Sequence, residues 1–110
     1  MHVQVSTDRN IQAHEKMMSW ISSTVSDALS NFGDNVTRVD VHLSDTNSNK
    51  KDSEDDIRCV LEARFKGRKP IAVTHRAGDL DPALMGAATK LTRVLNSRLG
   101  RLQNQHRRIH

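Results

Sequence analysis

Apolar residues alternate one by one in four segments of the chain and recur every three or four residues in two others, and the order of those segments restricts the fold to one small class. Val3 and Val5 alternate with His2, Gln4 and Ser6, the pattern of a short, half-buried strand. From about Gln12 to Phe32, Met17, Ile21, Val25, Ala28, Leu29 and Phe32 make one helical face, and Gly33 stands where a left-handed C-cap belongs. Val39, Val41 and Leu43 define a second strand. Ile57, Cys59, Leu61, Ala63 and Phe65 define a third, and Gly67 marks a turn. A fourth strand runs from about Lys69 to Arg76, with Pro70 at its start pointing to an edge position. After Gly78, Asp79 or Asp81 N-caps a second helix with Pro82 in its first turn, and Leu84, Ala88, Leu91, Leu95, Leu99 and Leu102 keep the helical spacing to its end. The expected architecture is α+β in the order β-α-β-β-β-α, one four-stranded mixed sheet with both helices on its apolar face. Strands one and two, joined through a helix, are parallel by a right-handed crossover, and strands two to four form an antiparallel meander.

Residues 44 to 56, SDTNSNKKDSEDD, contain no apolar side chain and read as a loop between strands two and three. With 110 residues the chain is expected to form one domain over residues 1–102, followed by a basic tail over residues 103–110. No apolar run approaches the ~20 residues needed to cross a bilayer, and the start MHVQVSTDRN lacks the basic opening and apolar middle of a signal peptide, so a cytoplasmic protein is expected. Cys59 has no partner for an intramolecular disulfide. Packing, not covalent staples, must hold the fold.

Charge divides the chain. Through Asp56 five basic residues face ten acidic ones, a balance of −5, whereas from Ile57 onward the balance is +9. After Asp81 no acidic residue occurs, while Lys90, Arg93, Arg98, Arg101, Arg107 and Arg108 add six positive charges. Such asymmetry points to a polyanionic partner. On a helical wheel Lys90 and Arg101 fall near the side opposite the leucines, flanked by Arg93, with Arg98 at the margin. The turn between strands three and four adds Arg64, Lys66, Arg68 and Lys69, with Arg76 nearby on strand four, and the two clusters are expected to form one footprint. The competing reading is a solvated, partnerless surface, which most charged helix faces are.

Aromatic platforms for reading single-stranded bases are scarce. Phe32 and Phe65 fall on core faces, and Trp20 is left as a ring beside the core, so binding by shape and phosphate is favoured over base reading. No carboxylate pair, nucleophile elbow or glycine-rich phosphate loop accompanies the six histidines. His106 and His110 have helical metal-ligand spacing but lie beside Arg107 and Arg108, whose charge opposes a cation. Cys59 shares the strand face of Leu61, Ala63 and Phe65, which marks it as a buried, inert thiol. No metal, cofactor, small-molecule substrate, membrane partner or enzymatic activity is expected.

The second half of the chain, with the order of elements, resembles the short members of the ribosome hibernation-promoting factor and ribosome-associated inhibitor A family, also called sigma-54 modulation or S30EA proteins. The likeness is most specific in DLDPALMGAATKLTRVLNSRLGRL, residues 79–102, where Asp79 stands for the family's helix-opening Asp, Lys90 and Leu91 for its Lys-Leu pair, and Arg93 and Leu95 for its Arg-x-Leu. Ile71, Val73 and His75 match its fourth strand, and RVDVHLSD, residues 38–45, resembles its second. The resemblance implies a non-enzymatic factor that binds the small ribosomal subunit and its 16S rRNA in the channel for messenger and transfer RNA, silencing idle ribosomes. It carries the basic surface of helix two onto Lys90, Arg93 and Arg101, with Arg98 where the family often has a basic or polar residue. The family commonly has basic residues and a tyrosine near the end of helix one, whereas this chain has serines, Asp27 and no Tyr. Pro82 and Gly86 also depart from the family's Ala-rich helix start. The sequence ends after helix two, so the carboxy-terminal dimerisation domain of long members is expected to be absent. The alternative is a protein-interaction module of the same fold with weak or no RNA binding.

Overall fold

Strict alternation sends every second side chain of a strand to the same side, and here that side is covered by helices. The computed structural model describes residues 1–8, 11, 14–45 and 56–108, with residues 99–108 described by their backbone alone. The elements are β1 (His2–Thr7), α1 (Glu15–Ala28), a 3-10 turn (Ser30–Phe32), β2 (Val36–Asp45), β3 (Ile57–Phe65), β4 (Ile71–Ala77) and α2 (Leu80–Arg108). The expected β-α-β-β-β-α order is the observed one. The sheet runs β1-β2-β3-β4, with β1 parallel to β2 and the other pairs antiparallel, so β1 and β4 are its edges.

Val39, Val41 and Leu43 of β2 and Cys59, Leu61, Ala63 and Phe65 of β3 are buried against Ile21, Val25 and Leu29 from α1's side and Ala83, Leu84, Ala87, Ala88, Leu91 and Leu95 of α2. The central strands supply the most deeply buried rows because edge strands have a neighbour on one side only. Val3 and Val5 of β1 and Val73 of β4 are accordingly half-buried. The opposite face of the sheet is open to solvent and polar, with Gln4, Arg38, Asp40, Glu62, Arg64, Arg58 and Arg76 projecting from it.

Several boundaries differ from the periodicity. Helix α1 opens at His14, whose Nδ1 accepts from the Met17 backbone N–H at 3.3 Å. It closes at Leu29 without a left-handed residue, and Gly33 has φ −58°. The last turns tighten to 3-10 geometry instead, with Phe32 N–H donating to the Leu29 carbonyl and Gly33 N–H to the Ser30 carbonyl, which satisfies the helix end and swings Phe32 into the core. Strand β2 reaches Ser44 and Asp45, and its register shifts between Val36 and Arg38. The rest of the polar segment, residues 46–55, lies outside the described residues. Gly67 is in the left-handed region at φ 70°, as the tight β3–β4 turn requires. Asp79 directly precedes α2 and its carbonyl accepts the Ala83 N–H at 3.2 Å. Helix α2 continues past Leu102 to Arg108.

Candidate nucleic-acid interface

Helix α2 follows β4 after a two-residue turn and runs back along it, so the length of the strand decides where the helix loses its floor. Seven strand residues span roughly 23 Å at ~3.3 Å each, which a helix covers in about 15 residues. Leu95 is the last buried side chain described on α2, and Arg98, one turn further, is exposed. Arg98 stands next to Leu99 at the margin of the inward stripe Leu84, Ala88, Leu91 and Leu95. A cation thus borders the sheet side at the level where the sheet ends.

The β3–β4 turn closes the space in front of it. Arg98, Arg68 and Lys69 line a hollow of about 280 Å³ together with Phe65 and Ile71, each of which is 8% exposed. The lining combines three exposed cations with two buried apolar side chains. One cation of α2 and two of the turn therefore meet in a single place. Arg98, placed at the margin by the helical wheel, is the residue that joins them; the signal in the sequence is an arginine at the edge of a leucine stripe.

The remaining candidates divide between two sides of the molecule. Lys90 and Arg93 are exposed on α2. Lys90 does not simply point outward as the wheel implies: its Nζ donates to the Thr74 carbonyl at 2.9 Å, closing part of the free edge of β4. The ammonium keeps two further N–H donors. Lys66 is exposed in the turn. The side chain of Arg101 lies outside the described residues. Arg64 and Arg76 lie on the open face of the sheet, away from α2, because they alternate with the buried Phe65, Ala63 and the helix-facing His75. The expected single footprint thus does not include them. Arg64 Nη2 sits 3.3 Å from Glu62 Oε1, and Arg38 Nε 3.0 Å from Asp40 Oδ1, with Arg38 also donating to Gln4 Oε1. These part-exposed pairs relieve the like charges that face each other across the strands, Arg38 against Arg64 and Asp40 against Glu62.

Cys59 is fully buried, and desolvation pushes its thiol up to about 12, which keeps it protonated and unreactive. Among the described residues, no group of three or more His, Cys, Asp and Glu is placed to hold a metal ion. The pair His106 and His110 lies outside the described side chains. No helix among the described residues is long and apolar enough to cross a membrane. Trp20 is 41% exposed on α1, more open than a ring packed beside the core.

A mixed four-stranded sheet with two helices on one face, the second of them long and basic, defines an α+β sandwich. The chain belongs to the family described as sigma 54 modulation protein / S30EA ribosomal protein, whose model matches residues 4–103. It is a family of ribosome-associated factors that modulate translation. The N-terminal domain of Thermus thermophilus Protein Y has the same fold, with a TM-score of 0.64 and 16% identity over 83% of this chain and 91% of that one. A ribosomal subunit interface protein from Coxiella burnetii is similar over 91% of this chain and 99% of its own, with a TM-score of 0.60 and 14% identity. None of the curated proteins matches this chain.

Proposed function

We propose that this protein binds the small ribosomal subunit through its 16S rRNA and holds idle ribosomes silent, acting by occupancy and not by catalysis. The observation that carries the reading is the meeting of Arg98 with Arg68 and Lys69, which joins the basic side of α2 to the β3–β4 turn as one cationic surface. Lys66, Arg68, Lys69, Lys90, Arg93, Arg98 and Arg101 form the contact set. Arg64 and Arg76, on the other side of the sheet, add to the long-range field that draws the protein to RNA. Phosphate contacts dominate such an interface, and its affinity falls steeply with salt. A factor of this kind works where ribosomes are, in the cytoplasm.

Co-sedimentation with purified 30S and 50S subunits at low and physiological salt tests the reading. The protein is expected to pellet with 30S and to remain in the supernatant with 50S. Absence from the 30S pellet under both conditions overturns it. The second reading, a protein-interaction module, is favoured by α1, whose exposed surface offers Trp20, Ser19, Ser23 and Asp27 and only one cation, Lys16. It predicts a partner that survives nuclease treatment and is lost with Trp20→Ser.

A further inference from the structure

We infer that the hollow between the β3–β4 turn and α2 is a site for one unstacked nucleotide of RNA, its phosphate held by Arg68, Lys69 and Arg98 and its base laid on Phe65 and Ile71. The inference rests on the RNA-binding reading above and adds a base-sized subsite to it.

Beside the stripe of α2, whose leucines stand at 95 and 99 in the sequence, position 98 looks over Phe65 and Ile71 from the margin, where an apolar side chain would extend the core. The chain instead leaves about 280 Å³ open beneath an arginine. That volume is just under the ~300 Å³ at which sites for drug-sized ligands begin, so it has room for one base. A simple anion needs no apolar lining, and an apolar ligand needs no three cations. A nucleotide needs both. RNA readers take splayed-out bases on aromatic rings and guanidinium planes, and Phe65 and Arg98 supply one of each at the same hollow. Guanidinium groups also hold phosphate in bidentate geometry, which suits Arg68 and Arg98. Position supports the assignment as well. The hollow opens at the end of the sheet, where α2 runs on beyond its floor, and a strand of RNA lying along the helix passes its mouth.

Titration of 15N-labelled protein tests the site, followed at the backbone N–H of Phe65 and Ile71 and the Nε–H of Arg98. A mixed-sequence single-stranded RNA hexamer is expected to shift all three, and adenosine monophosphate to shift them only at much higher concentration. Inorganic phosphate is expected to shift Arg98 Nε–H alone. Equal shifts with phosphate reduce the hollow to an anion site and overturn the inference. So do equal affinities for the mononucleotide and the hexamer, which assign the hollow to a free nucleotide, and equal shifts with a tetraglutamate peptide, which assign it to an acidic protein.

Arg98→Leu is expected to keep or raise the melting temperature while weakening the hexamer about tenfold, the scale of one lost stacked base. Arg68→Gln with Lys69→Gln, which leaves Phe65 and Ile71 in place, is expected to weaken it similarly. Unchanged hexamer affinity in both variants overturns the site. Sedimentation with 30S separates the two proposals. If wild-type protein pellets with 30S while the hexamer leaves the hollow unmoved, the nucleotide site falls and the ribosome reading stands; if the hexamer fills the hollow but no 30S binding occurs, the reverse holds.

Discussion

Gly86 lies on the inner side of α2 where the imidazole of His75 on β4 comes up against the helix. A Cβ built on Gly86 would overlap ring atoms Cγ, Cδ2 and Nε2 of His75. Cγ is one bond from the His75 stem, so the ring cannot swing clear as the tip of a flexible chain would. Alanine at this position gains ~1 kcal/mol of helix propensity but incurs an overpacking cost of roughly 1–3 kcal/mol. Gly86→Ala is therefore expected to lower stability by about 1 kcal/mol in chemical denaturation, and Gly86→Ala with His75→Ala to recover it. A single variant more stable than wild type would show that the ring has somewhere to go. The same close approach explains a departure from the family pattern that the sequence leaves unexplained: glycine early in an otherwise Ala-rich helix start is read there as a break in propensity, and only the packed structure shows what fills the space.

At the scale of elements, the alternation of β1 to β4 and the leucine stripe of α2 carry the fold because each has one buried side and one wet one. What periodicity could not supply was the manner in which elements end. Gly33 has the composition of a left-handed cap, yet hydrogen bonds from Phe32 and Gly33 close the helix by tightening it, and no sequence rule separates the two. Helix α1 is also the element least favoured by its own residues. Ser19, Ser22, Ser23 and Ser26 weaken its propensity, and tertiary burial of Ile21 and Val25 holds it in place. Ser19→Ala with Ser23→Ala, both at exposed positions, is expected to raise stability by ~0.5–1 kcal/mol, a shift of a few degrees in melting temperature by calorimetry. A fall in melting temperature would mean that the two hydroxyls, which border a groove with Val3, Val5 and Met18, hold structure that a methyl group cannot.

The whole molecule separates charge by side as well as by sequence, and this decides how it meets a polyanion. The sequence shows the −5 front half and the +9 remainder but not that the sheet divides the cations into two sets. On the open face Arg38 and Arg64 sit among carboxylates, whereas on the other side Arg93 stands on a helix with no acid after Asp81. Lys90→Glu, Arg93→Glu and Arg101→Glu together should thus remove ribosome binding without unfolding the chain. Surface changes of this kind cost within about ±0.5 kcal/mol each, with Lys90 at the upper end because its bond to Thr74 is lost. Binding responds on a different scale. Each phosphate contact contributes ~0.7–0.9 to the slope of log affinity against log salt, so three lost contacts flatten it by roughly 2–3, and three glutamates repel the backbone in addition. The matched comparison is Asn47→Glu, Lys50→Glu and Lys51→Glu, a similar change of charge placed in the acidic half of the sequence. Across a salt series with 30S subunits, the α2 variant is expected to lose most of its affinity at low salt and the control to keep both affinity and slope. If the two behave alike, with circular dichroism unchanged in each, total charge and not the α2 surface governs the encounter, and the contact set assigned to α2 is wrong.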